Sequence, residues 1–247
     1  MSPTVRWVSL FIDTPAPDLQ PVRRFWEAVT GSRAGEPEGE HGEYLPLVPP
    51  DSDPCVWLQE TGENSQPGAH PDLYVDDLAG FVDRATELGA EVTRRAEGLI
   101  VLRSPGGLAF CAVQHSGESL RPGPVEWPGG ASLLRQLCLD LPAAGHDREG
   151  VFWTELTGWQ IKDAGRSEFS DLVVPPHLPI RFLIQRLDDE SGPVRAHIDV
   201  SSEARDAETA RHQSLGADLV RRSEQWTVLR DPAGRAYCIT DRSPWSD

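Results

Sequence analysis

Ala69-His-Pro-Asp-Leu-Tyr-Val-Asp-Asp77 is the stretch that decides the fold, because the chain carries it twice. Its counterpart, Ala196-His-Ile-Asp-Val-Ser-Ser202, places His197 127 residues after His70. Both stretches alternate as a half-buried strand does, and in such a strand residues i and i+2 share a face. His70 and Asp72 are therefore expected side by side, and so are His197 and Asp199. The match continues outward at the same offset. Phe25-Trp26 and Thr30-Gly31 answer to Phe152-Trp153 and Thr157-Gly158, and Leu88-Gly89-Ala90 answers to Leu215-Gly216-Ala217. Arg94-Arg95 answers to Arg221-Arg222, and Cys111 to Cys238. One slip, at Val48-Pro-Pro50 against Val174-Pro-Pro176, is all the alignment needs. The chain is a tandem duplication.

Copy one, residues 1–116, opens on a β-branched alternating run from Arg6 to Asp13. Asp18 or the Pro-rich turn before it is expected to cap a helix through Val22, Phe25, Trp26 and Val29 that ends at Gly31. Residues 32–42 read as a loop or an irregular strand, and short strands follow at 43–48 and 55–59. After the break at Asn64-Ser-Gln-Pro-Gly68 the scheme restarts. A strand at 70–75 leads to a helix at 78–88 with apolar positions at Leu78, Phe81, Val82, Ala85 and Leu88. Strands at 91–95, 98–103 and 108–113 complete it, the last two joined by Ser104-Pro-Gly-Gly107. Each copy is thus two βαβββ modules in series. Residues 117–130 hold three prolines and four glycines and read as the linker. Residues 131–242 repeat the order, and 241–247 read as a frayed tail.

A formal net charge of −16 and a pI near 4.8 argue against nucleic-acid binding, which needs clustered Lys and Arg. The same charge would be repelled by an anionic membrane surface. No apolar run approaches the roughly 18–20 residues that span a bilayer, and the start lacks a signal-peptide pattern. A cytoplasmic location is expected. Cys55, Cys111, Cys138 and Cys238 show no metal-binding spacing and are expected as reduced, buried thiols.

A tandem of βαβββ modules with these residues resembles the vicinal oxygen chelate superfamily, the glyoxalase / bleomycin resistance / extradiol dioxygenase group. The likeness is strongest to its actinobacterial glyoxalase-like branch. It is carried in copy one by Asp13, Phe25-Trp26, Thr30-Gly31, His70-x-Asp72, Leu88-Gly89-Ala90 and the turn before Phe110-Cys111. Copy two carries Asp140, Phe152-Trp153, Thr157-Gly158, His197-x-Asp199, Asp231-Pro-Ala-Gly234 and Tyr237-Cys238. The resemblance implies an α+β fold of tandem glyoxalase-like domains. Each would consist of two βαβββ modules forming a U-shaped, mostly antiparallel sheet cup. Metal-dependent members place His or Gln on the first strand of a module and Glu on its last. Here His70 and His197 match, whereas Cys111 and Cys238 stand where glutamate would be. The first-module positions fall near Trp7–Ser9 and Leu134–Gln136, with Gln59 and Gln185 on the fourth strands.

His70 and His197 are accordingly the candidate catalytic residues. Asp13, Trp57, Gln59, Asp72, Cys111, Gln136, Asp140, Gln185, Asp199 and Cys238 are the candidate ligand contacts. Metal catalysis needs three or four convergent ligands with one open position, so no metal or other cofactor is expected. The alternative is a divalent ion such as Zn, Fe, Mn or Ni held by His, Cys and Asp in the second copy. Trp26 and Trp153 are expected in the core, Trp7 and Trp57 in a position to stack on a flat ligand, and Trp226 at a rim. Two functions follow. One is metal-independent binding of a small organic molecule, of the sequestration or resistance kind. The other is a lyase, isomerase or oxygenase acting on a small oxygenated substrate, with His70 or His197 as base or ligand. Partners beyond the small molecule are not expected, and the chain is expected as a monomer or homodimer.

Overall fold

The computed structural model describes residues 4–246. The first module has β1 (Val5–Pro15), α1 (Leu19–Thr30), β2 (Arg33–Ala34), β3 (Tyr44–Val48) and β4 (Val56–Thr61). The second has β5 (Gly68–Val75), α2 (Leu78–Glu87), β6 (Glu91–Ala96), β7 (Leu99–Arg103) and β8 (Ala109–Gln114). A short β9 (Val125–Trp127) precedes the third module: β10 (Gly130–Leu141), α3 (His146–Thr157), β11 (Gln160–Asp163), β12 (Phe169–Val173) and β13 (Arg181–Arg186). The fourth has β14 (Arg195–Ser202), α4 (Arg205–Ser214), β15 (Asp218–Arg222), β16 (Trp226–Arg230) and β17 (Ala236–Thr240). Two open mixed sheets result, ordered β2-β3-β4-β1-β5-β8-β7-β6 and β11-β12-β13-β10-β14-β17-β16-β15, with β9 beside β10. The β5–β8 and β14–β17 pairs are parallel, and the other registered pairs are antiparallel.

The first-module helices end where the sequence places a glycine that can turn left-handed. Gly31 has φ +66° and Gly158 φ +74°, which side chains with a Cβ rarely adopt. Of the two expected starts for α1, the Pro-rich turn is the one present. A 3-10 turn, Ala16–Asp18, precedes α1, and the Asp18 side chain makes no capping bond. The Asp77 side chain does cap α2, accepting from the Gly80 N–H at 3.0 Å.

Two segments expected to be loose are held. Residues 117–130 contain β9, and Leu120 is clamped to Asp53 by two bonds of 2.9 Å, one from each N–H. Residues 241–246 were expected to fray. Instead the Pro244 carbonyl accepts from Arg135 at 3.0 Å and the Trp245 indole donates to Glu203 at 2.8 Å. Asp247 lies outside the described residues.

The chain packs as two compact units that cut across the repeat. The first contains residues 4–10, 70–119 and 137–196, and the second contains 11–69, 120–136 and 197–246. Each therefore joins the second module of one copy to the first module of the other. The helices explain it. In the first unit, Phe152 and Trp153 of α3 pack on Phe110 of β8, with ring centroids 5.9 and 5.2 Å apart. In the second, Phe25 and Trp26 of α1 pack on Tyr237 of β17 at 5.9 and 5.2 Å. Burying one such ring is worth about 1.5–3 kcal/mol, and edge-on ring pairs add about 0.5–1.5 kcal/mol.

The two tryptophan indoles find acceptors by different routes. Trp26 Nε1 donates to Asp231 at 3.1 Å. The residue equivalent to Asp231 in copy one is Ser104, which is too short for that task. Glu149 of α3 takes over, accepting from Trp153 Nε1 at 3.0 Å and from the Gly106 N–H at 2.7 Å. Burial pushes the Glu149 carboxyl above its ordinary range, against the pull of its hydrogen bonds.

Candidate functional site

In the first unit β5 and β8 run parallel with Asp72 directly opposite Cys111. Strand alternation puts His70 on the same face as Asp72, as the sequence predicted. His70 is 8% exposed, Asp72 2% and Cys111 6%. His70 Nε2 stands 3.4 Å from Asp72 Oδ1, and donor atoms of all three residues lie within 4.8 Å of one another. Asp72 Oδ1 is buried and accepts no hydrogen bond from the described residues. Burial, followed by the neighbouring Asp72 charge, pushes the Cys111 thiol up to about 12, so it is a protonated thiol at neutral pH. The same unit contains Trp7 and Ser9 on one face of β1. Trp7 Nε1 and Ser9 Oγ are also buried without hydrogen-bond partners.

Trp7 was expected to offer its ring to a flat ligand. It is fully buried, so the ring is core and only the indole N–H is left unsatisfied. Asp140, on β10, and Gln185, on β13, are both half-buried in this unit. Gln185 Oε1 lies 4.0 Å from the Cys138 sulfur.

The second unit contains the other histidine pair. His197 Nε2 is 3.4 Å from Asp199 Oδ1, and Cys238 lies opposite Asp199 in the parallel pairing of β14 with β17. The polar environment differs from that of Asp72. Gln136 Nε2 donates to Asp199 Oδ2 at 2.5 Å, and Arg242 Nη1 donates to Gln136 Oε1 at 3.3 Å. Gln136 is equivalent by the repeat to Ser9, so a long amide fills in copy two the position where copy one has a short hydroxyl.

Asp13, Trp57 and Gln59 also belong to the second unit. Trp57 is half-buried and stacks on Phe11 at 5.6 Å with the planes 15° apart, while Tyr44 meets Phe11 edge-on at 6.0 Å. One face of Trp57 is therefore already occupied. Gln59 pairs across the ladder with Tyr44. The Asp13 carbonyl accepts from Arg235 Nη2, whose guanidinium also reaches Thr14 Oγ1 at 3.2 Å and the Gly68 carbonyl at 2.9 Å. Trp226 is half-buried, and Arg94, Arg95, Arg221 and Arg222 are exposed. All four cysteines are buried, and none is in a disulfide among the described residues.

Two buried ionic clusters escaped the sequence. Arg235 pairs with Asp231 in the last turn, where nothing in Asp231-Pro-Ala-Gly-Arg235 signals a buried cation. On α4, Glu208 holds Arg211 at 2.6 Å and His212 at 3.1 Å. The i, i+4 spacing of Glu208 and His212 was a usable signal. Because Glu208 is a carboxylate, His212 Nε2–H donates to it and Nδ1 accepts from the Tyr237 hydroxyl at 2.9 Å. Arg211 also donates to the Ala28 and Val29 carbonyls at the end of α1, and its guanidinium lies 3.8 Å above the Trp127 ring.

No helix among the described residues is long and apolar enough to cross a membrane. Comparison with known proteins agrees with the duplicated architecture. No curated protein matches the chain significantly. A Mn(II)-bound glyoxalase from Novosphingobium aromaticivorans aligns over 96% of this chain and 81% of its own, with TM-score 0.65 and 16% identity. The 2,2',3-trihydroxybiphenyl 1,2-dioxygenase of Sphingomonas wittichii strain RW1 aligns over 96% and 90%, with TM-score 0.64 and 18% identity. A halotolerant catechol dioxygenase aligns over 96% and 87%, with TM-score 0.60 and 14% identity. At these identities the likeness is one of fold. The family model described as "Glyoxalase-like domain" matches residues 9–113 and again 136–240. The chain belongs to the glyoxalase-like domain family, in the vicinal oxygen chelate superfamily, and carries the domain twice.

Proposed function

We propose that the chain binds a small polar organic molecule at the His70–Asp72 face of its first copy, through side-chain hydrogen bonds and without a catalytic metal. The observation that carries this reading is the set of unsatisfied buried atoms in one unit: Trp7 Nε1, Ser9 Oγ and Asp72 Oδ1. An indole N–H only donates, a carboxylate oxygen only accepts, and a hydroxyl does either. Each such atom left unpaired costs about 1–3 kcal/mol. A molecule with both an acceptor and a donor group would recover that cost on binding. His70 would then orient the ligand beside Asp72. Asp199 Oδ1 is unsatisfied as well, but the second copy has Leu134 and the hydrogen-bonded Gln136 where the first has the unsatisfied Trp7 and Ser9, which favours the first copy as the receiving site.

A second reading rests on the convergence of His70, Asp72 and Cys111 within 4.8 Å. An imidazole, a carboxylate and a thiol suit a soft divalent ion such as zinc in kind. Such an ion would polarise a carbonyl or activate a water, held by His70, Asp72 and Cys111. Two features weigh against it. The buried Cys111 thiol would have to lose a proton held up to about 12, and Trp7 and Ser9 offer no imidazole or amide where metal-dependent relatives have His or Gln.

A thermal-shift screen of small hydroxy, oxo and amino acids and their amides tests the first reading. A ligand of the folded state raises Tm by mass action. At least one compound should stabilise the wild-type chain, and the shift should vanish in Asp72→Asn and persist in Asp199→Asn. A shift that survives Asp72→Asn, or a screen without any stabilising compound, would count against the site.

A further inference from the structure

The second unit contains a cavity of about 410 Å³ that involves neither histidine pair. Its walls come from the end of α1, from the β3–β4 connection and from the segment that joins the two copies. Four prolines, Pro49, Pro50, Pro122 and Pro124, are among the lining residues. Proline fixes φ, so these walls are stiff before any ligand arrives and little ordering remains to be done on binding. The Leu120–Asp53 clamp, with two bonds of 2.9 Å, holds the joining segment to the β3–β4 connection. The wall from the joining segment exists once in the chain, because there is one such segment. The cavity is thus a product of the tandem arrangement.

We infer that this cavity is a separate binding site for a neutral, mostly apolar molecule of one or two fused rings carrying a single hydroxyl. Its volume lies in the range of about 300–1,000 Å³ that suits ligands of that size. More than half of the lining side chains are apolar, Val29, Leu47, Val56 and Leu134 beside the prolines among them. Of the four lining hydroxyls, Thr30 donates to the Trp26 carbonyl and Ser132 accepts from the Trp127 indole, so Ser32, buried at 8% exposure, and Ser52 are the ones placed to meet a polar group. Two acids, Asp51 and Glu126, face one base, Arg121, which disfavours an anion. Cys55 also lines the cavity, and burial pushes its thiol up to about 12, so capture is non-covalent.

Gly123 supplies the test, because it lines the cavity and a Cβ added there meets nothing within 4 Å. Gly62 is equally open but lies outside the cavity, and serves as the control. Titration calorimetry of the full chain with 2-naphthalenemethanol should show one saturable site. Gly123→Trp should weaken it at least tenfold, while Gly62→Trp and His70→Ala should leave it within twofold. The anion 2-naphthoate should bind at least tenfold more weakly than the alcohol. The inference fails if the alcohol shows no saturable binding, if Gly123→Trp leaves binding intact, or if His70→Ala abolishes it. Equal binding of the naphthoate overturns the ligand class. Because His70→Ala leaves this cavity untouched, failure here is distinguishable from failure of the His70–Asp72 reading.

Discussion

His70 Nε2 and Asp72 Oδ1 stand 3.4 Å apart, and His197 Nε2 and Asp199 Oδ1 repeat that separation 127 residues later. The duplicated strand has conserved the geometry of the pair while its surroundings diverged. Asp72 Oδ1 and Asp199 Oδ1 are both buried without a hydrogen bond, but Asp199 Oδ2 is tied by Gln136 and, through it, by Arg242, whereas Ser9, at the position equivalent to Gln136, leaves its Oγ unsatisfied.

That asymmetry predicts different penalties at equivalent positions. Gln136→Ala leaves a buried carboxylate oxygen without its donor and should cost about 1–3 kcal/mol. Ser9→Ala removes a hydroxyl that bonds to nothing and should change stability by less than about 0.5 kcal/mol. Urea denaturation of the two variants measures both. Equal penalties would show that the two sites are not differently satisfied.

The last turn of the chain carries a buried charge pair, and breaking one side of it should be severe. Asp231 accepts from Arg235, from Trp26 Nε1 and from the backbone N–H groups of Ala233 and Arg235. Asp231→Ala leaves the buried Arg235 guanidinium without its charge partner, with only the neutral acceptors Asp13 carbonyl, Thr14 Oγ1 and Gly68 carbonyl, and should cost about 3–5 kcal/mol. Ser104→Ala, at the equivalent turn, removes the acceptor of the Leu108 N–H and a neutral hydroxyl partner of Glu149, and breaks no charge pair, so it should cost about 1–2 kcal/mol. Equilibrium unfolding compares them directly.

The α4 cluster should make the protein acid-sensitive. Burial alone would raise the Glu208 carboxyl, but hydrogen bonds from Arg211 and His212 outweigh it and bring the group down to about 2, from 4.5. Burial lowers His212, against the pull of Glu208. Both folded-state values lie below the unfolded ones, so the unfolded chain takes up protons first. The His212 contribution is present above its ordinary 6.5 and is lost as pH falls below it. The Glu208 contribution, about 3 kcal/mol, is present above 4.5 and is lost on the way to about 2. Glu208→Gln should flatten the stability–pH curve below 4.5, and a curve as steep as that of the wild type would refute the assignment.

The thiols should be silent in the folded state. Burial pushes Cys55 and Cys111 up to about 12, and Cys138 and Cys238 are buried as well. A thiol-specific chromogenic reagent at pH 8 should titrate almost none of the four in native protein and all four in denaturant. Rapid native labelling of Cys111 would mean that the thiol is ionised and reachable.

The duplication, the module order and the His-x-Asp pairing were legible because they depend on local periodicity, and strand alternation alone puts His70 beside Asp72. The burial of Trp26 and Trp153 was legible for the same reason, from helical spacing. What packs on them was not. The placement of α1 against β17 is a long-range contact, and the Trp26–Asp231 bond spans 205 positions. The joining segment reads as a linker by composition, and only the Leu120–Asp53 clamp and β9 show that it is fixed. Trp7 alternates correctly for a ligand-facing residue, yet the depth of its burial depends on neighbours that no local pattern names. Arg235 gave no warning, because beyond Asp231 the groups that satisfy it, Asp13, Thr14 and Gly68, lie more than 160 positions earlier in the chain.

Elemental analysis of the purified full chain, repeated after chelator treatment and zinc add-back, addresses the His70–Asp72 site most directly. If that face binds an organic molecule through hydrogen bonds, the protein should hold well under 0.1 equivalent of Zn, Fe, Mn or Ni before and after add-back. One equivalent of zinc retained by the wild-type chain and lost in both His70→Ala and Cys111→Ser would contradict that reading and establish the metal centre in its place.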